Sequence, residues 1–558
     1  MKRAAITLVM VLAAAVLTSS MVPAVALQPQ PLSLVRIDLS VEADLALLEA
    51  SGVPVYARLA AGRKTYFLAG ASDRQVETLR ANGLGVAVID SVMDGASYYL
   101  ATVLPGWPTP IWQAHGRLLL DDGAQVLLRA SAQEAEELVQ DGVRIAAVTL
   151  DPKPVKLAAS ETLQTVEWDS LVQEMIDQVT STQVSQYDRE LAGEIPVWVD
   201  GAWYTITSRY TYSGTPIRKA TSYIGQKWAA LGLDVEYHVW GGSNYPNVIG
   251  EQIGRVHPDS ILIIGGHVDA VSGTPGADDN ASAAVAAMIA ADIMTQYQCD
   301  YTLRFAVWTG EEQGLYGSRA YAQRAYLSGE NIVGYLNLDM IAWNTANSNR
   351  DIDLYYSTGV PGTQAMAQQF ADVITTYNLN LVPALGIGSG NSDHYYFWQY
   401  GYKAIMGIED FGDFNPYYHS SQDTPAHTDL SYFTDFVKAS IADLAHLAGC
   451  SLPTAVDLLS FKATGGRRLV TLGWETANEI DNLGFNLYRA TAVNGPRTRI
   501  NAELIPTLVY PGSPYGAVYE YTDTAVKPRA TYFYWLEDLD IYGHTDLHGP
   551  VSATTTSR

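Results

Sequence analysis

Between residues 165 and 450 the chain repeats one pattern, a short apolar run followed by a longer segment of helical period. The runs ILIIGGH (261–267), LRFAVWT (303–309), VGYLNLD (333–339) and AIMGIED (404–410) read as strands buried on both faces. The segments ATSYIGQKWAALGL (220–233), ASAAVAAMIAADIMTQY (281–297) and MAQQFADVITTYN (366–378) carry the helical spacing between them. Buried strands alternating with helices have few ways to pack. They predict an α/β fold built on a doubly wound mixed sheet covered on both sides.

The flanks read differently. ASDRQVETLRANGLGVAVID (71–90) resembles ASAQEAEELVQDGVRIAAV (130–148), each copy a strand, a helix and a strand. Ser72 or Ser131 stands at the helix N-cap, and Gly83 or Gly142 near its end. Residues 27–152 thus form an expected N-terminal α+β repeat unit, joined by a linker over 153–164. No chemistry is visible in this unit, so a propeptide or inhibitory prodomain, restraining activity until it is processed, and a passive folding or binding module both remain open. Residues 456–558 switch to strand-like runs such as LVTLGWETA (469–477) and ATYFYWLEDLD (530–540), the pattern of a β-sandwich. With Trp474 on an early strand and Tyr532 and Tyr534 on a late one, this part resembles a fibronectin type III module. Such modules bind or space, so a surface or polymer is its expected partner.

A length of 558 residues suits this three-part division. A formal charge of -25 argues against nucleic acid or an anionic membrane as partner. Lys2 and Arg3, the apolar run 4–17 and Ala24-Val25-Ala26 make residues 1–26 a secretory signal, and a secreted protein (extracellular or periplasmic) with no membrane span in its mature form is expected. In such a compartment the two cysteines, Cys299 and Cys450, are expected to form a disulfide. Two cysteines cannot build a thiolate zinc site, so any metal must use His and carboxylates.

Each apolar strand runs into such residues. His267 ends the first, Glu311 and Glu312 follow the second, Asp339 follows the third, and the loop after the fourth, FGDFNPYYHSSQDT, carries His419. In an open α/β sheet the ligand crevice lies outside the carboxyl ends of the strands, where these residues would converge. Asp279, in GADDNAS (276–282), is a fifth candidate ligand. Two imidazoles and three carboxylates can hold two zinc ions if one carboxylate bridges. Consecutive Glu side chains point apart, so one can bind metal while Glu311 faces the water and moves its proton. Asp269, two residues after His267, is placed to accept the imidazole N–H through its carboxylate.

The motifs HVDAVSGTPGADDNAS, VWTGEEQGLYGSRAY, YLNLDMIAW, SGNSDHYYF and YYHSSQDT resemble those of secreted di-zinc aminopeptidases of the M28 family. The likeness covers roughly residues 165–450. It implies two Zn2+ per chain, His267 and Asp339 on one, Glu312 and His419 on the other, and Asp279 rather than Asp278 bridging. It implies Glu311 as general acid/base, Asp269 as a supporting aspartate and Tyr418 as a stabiliser of the tetrahedral oxyanion. Asp393 and His394, in SGNSDHYYF, take architectural roles in this reading. Peptides or proteins with a free N-terminus are the implied substrates. A carboxypeptidase would need a basic cluster, and few Lys or Arg lie near the motifs. A glutaminyl cyclase would use a single zinc, and a non-catalytic binding protein would lack ligands or the base.

Overall fold

The computed structural model describes residues 31–556, apart from 40–41, 62–63, 94, 104–108, 124, 156–165, 389, 452–455, 480–481, 510–514, 542 and 544. The expected signal segment 1–26 and most of the linker 153–164 lie outside the described residues.

The central sheet has eight strands: β1 (Asp234–His238), β2 (Asn247–Gln252), β3 (His257–His267), β4 (Tyr301–Trp308), β5 (Asn331–Leu338), β6 (Asp351–Tyr356), β7 (Val382–Ile387) and β8 (Ala404–Glu409). Their order across the sheet is β1-β2-β4-β3-β5-β8-β6-β7. The middle four, β4, β3, β5 and β8, run parallel, so their carboxyl ends share one rim. The outer pairings β1–β2, β2–β4 and β8–β6 are antiparallel, which makes the sheet mixed, as the sequence predicts.

Side chains alternate along the buried strands. Leu262 and Ile264 of β3 enter the core beneath the helices Thr215–Ala230, Ser282–Met294, Thr363–Thr376 and Leu430–Ala448. Ile261 and Ile263 enter a second core on the other face, with the helices Tyr316–Ser328 and His394–Gln399. That second core also takes Leu34, Tyr56, Tyr98, Ala146 and Val148 from the N-terminal unit. The unit is therefore packed against the central sheet by shared apolar burial rather than by surface contact.

Its two halves have the same topology. Strands Val55–Ala61, Lys64–Ala71, Ser33–Asp38 and Gly85–Asp90 form one antiparallel sheet in that order, and Arg117–Asp121, Val126–Arg129, Tyr98–Val103 and Val143–Val148 form the other. The helices Asp73–Ala81 and Ala132–Gln140 occupy equivalent places. Their starts are fixed alike. Gln75 Oε1 accepts from the Ser72 amide at 3.0 Å, and Glu134 Oε2 from the Ser131 amide at 2.7 Å.

After Cys450 a three-stranded and a five-stranded antiparallel sheet enclose a core of Trp474, Phe485, Tyr519 and Tyr534. The Cys299–Cys450 disulfide links the end of helix Leu430–Ala448 to the start of β4. By constraining the unfolded chain across a separation of 151 residues it contributes about 3–5 kcal/mol.

The helix Leu430–Ala448 hides a group that sets a pH dependence. Asp443 is fully buried, its Oδ1 accepts from Gln369 Nε2 at 3.2 Å, and its Oδ2 has no hydrogen-bond partner. Burial pushes its pKa up to about 8, the Gln369 bond opposing. The folded state thus holds a proton that the unfolded chain releases above its ordinary value of 3.8, so stability falls as pH rises from there to about 8. Asp443→Asn is expected to raise the melting temperature at pH about 8 by several degrees and to leave it unchanged near pH 4. Melting curves of both proteins at the two pH values check this.

Candidate metal centre

The predicted convergence occurs on the rim formed by the middle strands. His267 is the last residue of β3, Asp339 follows β5 directly, and Glu311 and Glu312 lie just beyond β4. His419 sits in the loop after β8, and Asp279 in the turn Ala277–Ala281 that leads into helix Ser282–Met294. Two glycines let this rim close up. A Cβ on Gly265 would stand 1.7 Å from the Ala306 carbonyl oxygen of β4, and one on Gly266 would stand 2.1 Å from that of Leu338 in β5. Leu315, Met340 and His419 hold left-handed backbone (φ 62°, 54° and 53°), and all three lie in or beside the motif segments. Non-glycine residues keep that conformation only where their surroundings enforce it.

Asp279 stands between the two histidines. Its Oδ1 lies 3.4 Å from His267 Nε2 and its Oδ2 3.2 Å from His419 Nε2. Glu312 Oε2 is 3.1 Å from His419 Nε2, while Asp339 Oδ1 and Glu311 Oε2 are 3.7 and 3.9 Å from His267 Nε2. His267, Asp279, Glu311, Glu312 and Asp339 are at most 8% exposed, and the His419 side chain is 4% exposed. Burial raises the Glu311 pKa well above the carboxylate range, with His267 opposing and Glu312 and Asp339 adding to the rise. Burial alone would lower His419, but Glu312 and Asp279 outweigh it and push its pKa up to about 10.

The supporting bonds distinguish Asp278 from Asp279 and correct one expectation. Asp278 is engaged elsewhere: its Oδ1 accepts from the Ala342 amide at 2.8 Å and its Oδ2 from Asn415 Nδ2 at 2.9 Å. Asp279 is thus the member of the pair that faces the histidines. Asp423, which the sequence reading passed over, accepts both the Asp278 and the Asp279 amides, at 2.9 and 3.1 Å, and shapes this turn. The expectation that the Asp269 carboxylate receives the His267 N–H is not met. The His267 Nδ1 proton goes to the Asp269 backbone carbonyl at 3.0 Å, and the carboxylate is 3.7 Å away. That carboxylate instead accepts from Thr211 Oγ1 at 2.9 Å and from the Glu311 and Glu312 amides at 3.3 and 3.4 Å. Asp269 therefore orients the imidazole with its main chain and the two glutamates with its side chain.

Tyr418 is buried, with its ring stacked 3.7 Å from the His419 ring. Asp393 is fully buried and its charge raises the Glu311 pKa, so it bears on the centre as well as on the architecture.

One side chain at the centre was missed altogether. Arg144, from the N-terminal strand Val143–Val148, reaches the centre and donates to both oxygens of Asp339, at 2.8 and 3.2 Å. Burial would raise the Asp339 pKa, but Arg144 and His267 outweigh it and hold the carboxyl well below its usual range.

Chemically the donor set fits divalent metal. Among the described residues, His267, Glu311 and Asp339 form one group of donor atoms within 4.8 Å of one another, and His267, Asp279 and Glu312 form a second. Glu312 Oε1 is buried without a hydrogen-bond partner, which is costly unless a cation meets it. Buried imidazole and carboxylate donors in two overlapping groups suit zinc-like ions.

Comparison with known proteins agrees in location. Residues 247–442 match the family model of Peptidase family M28. This matched segment contains every candidate ligand. Over 141 residues the chain is 30% identical to the probable leucine aminopeptidase 2 of Aspergillus oryzae, covering 25% of this chain and 28% of that protein. Over 128 residues it is 36% identical to the leucine aminopeptidase 2 of Trichophyton rubrum, covering 22% and 26%. The chain thus spans little more than a quarter of the curated relatives it matches. Among solved structures, the LapA aminopeptidase of Legionella pneumophila aligns with 63% of this chain and 98% of its own, at 17% identity and a TM-score of 0.51, a likeness of fold.

Proposed function

We propose that this protein is a secreted metallo-aminopeptidase of M28 type, using two zinc ions to hydrolyse the first peptide bond of substrates with a free N-terminus. The observation that carries the reading is Asp279, set between His267 and His419 with one oxygen toward each. That placement suits a carboxylate shared by two cations. His267 and Asp339 would hold one ion, and Glu312 and His419 the other. When bound, such a pair lowers the pKa of water and polarises the scissile carbonyl.

The chain's own residues do the rest. Glu311 takes a proton from the attacking water and delivers it to the departing amine. Its burial, which favours the protonated form, suits it to hold that proton between the two steps. Asp269 keeps the Glu311 and Glu312 backbone in place and fixes His267 with Nε2 toward the centre. Tyr418, packed on His419, is the candidate donor to the developing oxyanion.

The choice of end follows from the arginines. Arg209 spends its nitrogens on the carbonyls of Leu191, Val268, Pro275 and Gly276. Arg304 is paired with Glu251 and Glu330. Neither guanidinium is left for a substrate carboxylate, which favours recognition of an amine. Names of the relatives, leucine aminopeptidase 2, point the same way. The signal-like residues 1–26 support secretion, and among the described residues no helix is long and apolar enough to cross a membrane. The two sheets after Cys450 support a fibronectin type III-like module that binds or spaces.

The test is hydrolysis of one peptide in three forms, with metal analysis of the same sample. Free and C-amidated peptides are expected to be cleaved and the N-acetylated form spared. Equal cleavage of the N-acetylated form would overturn the aminopeptidase reading.

A further inference from the structure

The N-terminal strand Val143–Val148 has an unusual composition for its position. All its residues are buried, yet one of them is an arginine. Alternation explains where that side chain goes. Val143, Ile145 and Ala147 face the unit's own core under helix Ala132–Gln140, while Ala146 and Val148 join the core shared with the central sheet. Arg144 belongs to the second set and projects across the boundary. Nη1 donates to Asp339 Oδ2 at 2.8 Å and to the Asn391 carbonyl at 3.1 Å, and Nη2 donates to Asp339 Oδ1 at 3.2 Å. The guanidinium carbon lies 5.7 Å from the centroid of the Tyr418 ring.

The same unit touches the other histidine-bearing side of the centre. The carbonyl of Val139, at the end of the neighbouring helix, accepts the His419 Nδ1 proton at 2.9 Å. Around these contacts Tyr210 Oη donates to Glu136 at 2.5 Å, the Ala147 amide donates to the Gly314 carbonyl at 3.3 Å, and the Tyr99 and Tyr316 hydroxyls meet at 3.2 Å. Gly314 and Tyr316 lie two and four residues after Glu312, so these contacts sit close to the catalytic candidates in the chain.

A planar guanidinium bonded to both oxygens of a carboxylate is the strongest geometry such a pair can adopt. It uses the donors that Asp339 would offer to a metal, and it sets a fixed positive charge where a cation or a substrate ammonium would have to stand. We propose that the N-terminal unit is a built-in plug, in which Arg144 competes with metal and with the substrate's amino end for Asp339 and restrains turnover until the unit is displaced or removed. The inference rests on the metallo-aminopeptidase reading given above, and it commits that reading to a specific inhibitory contact.

The experiment compares three full-length proteins, wild type, Arg144→Met and Arg144→Lys, with folding checked by circular dichroism. Zinc affinity and stoichiometry are measured by competition with a chromophoric chelator, and turnover with an aminoacyl arylamide. Arg144→Met is expected to bind its weaker zinc about tenfold or more tightly than wild type and to turn over faster by a similar factor. Arg144→Lys keeps the charge but loses the fork, and should fall between them. If the methionine variant does not fold, the lysine variant still separates the outcomes. Equal zinc affinity, stoichiometry and turnover in the folded variants and wild type would overturn the plug. Zinc affinity reads the plug whichever peptides are cleaved, so this inference and the proposed activity fail separately.

Discussion

Glu311→Gln is expected to fold, to keep its metal complement and to lose turnover by a factor of about 10³ or more. The substitution changes one oxygen to an amide at nearly constant shape, so packing on this buried rim is preserved. What it removes is the ability to accept a proton. KM should change little, because the amide still fills the same space beside the substrate. The geometry makes this a sharp test. Glu311 Oε2 is 3.9 Å from His267 Nε2, and Glu311 groups with His267 and Asp339 as a set of donors close enough to share an ion. It can therefore be read as a ligand as well as a base. Metal analysis beside kcat separates the two. Retained metal with lost turnover assigns the proton transfer to Glu311, whereas lost metal makes it a ligand. Retained turnover places the base elsewhere. Glu312→Gln is the internal contrast: its partner His419 would lose an ion-pairing oxygen, and metal should fall with activity.

The contrast between those two neighbours shows how far the sequence could be read. Apolar runs that end in His, Glu or Asp were legible because a strand buried on both faces has no other pattern, and a parallel sheet sends all such ends to one rim. The N-terminal repeat was legible for a similar reason, since Ser72 and Ser131 mark equivalent helix starts. The choice between Asp278 and Asp279 rested only on family likeness until hydrogen bonds from Ala342 and Asn415 showed where Asp278 is spent. Asp269 was found, but its bond to His267 runs through the main chain, which residue type does not reveal. Arg144 stands 195 residues from Asp339, in a part of the chain without recognisable chemistry. Its one signal was local: an arginine in VRIAAV, a run otherwise apolar enough to be buried. A buried charge needs a partner, and nothing in the sequence says which.

Asp279→Ala is expected to strip the centre of metal while leaving the metal-free fold as stable as before. Asp279 sends one oxygen toward each histidine, so its loss removes a donor from both halves of the site at once. The vacated space lies among Glu311, Glu312 and Asp339, where one carboxylate fewer relieves mutual repulsion in a buried setting and offsets the lost pairing with the two histidines. At saturating zinc the stoichiometry should fall from about two toward zero, and hydrolysis should disappear with it. Asp278→Ala should behave in the opposite way. It leaves the Ala342 amide and the Asn415 side chain without their acceptor, at about 1–3 kcal/mol for each buried donor. Melting curves in the presence of a chelator, set beside zinc stoichiometry, therefore distinguish the adjacent aspartates. One variant loses metal without losing stability, and the other loses stability first. Should Asp279→Ala stay fully loaded, the two histidines must be held by separate donor sets, and the shared-carboxylate centre would give way to a mononuclear one around His267, Glu311 and Asp339.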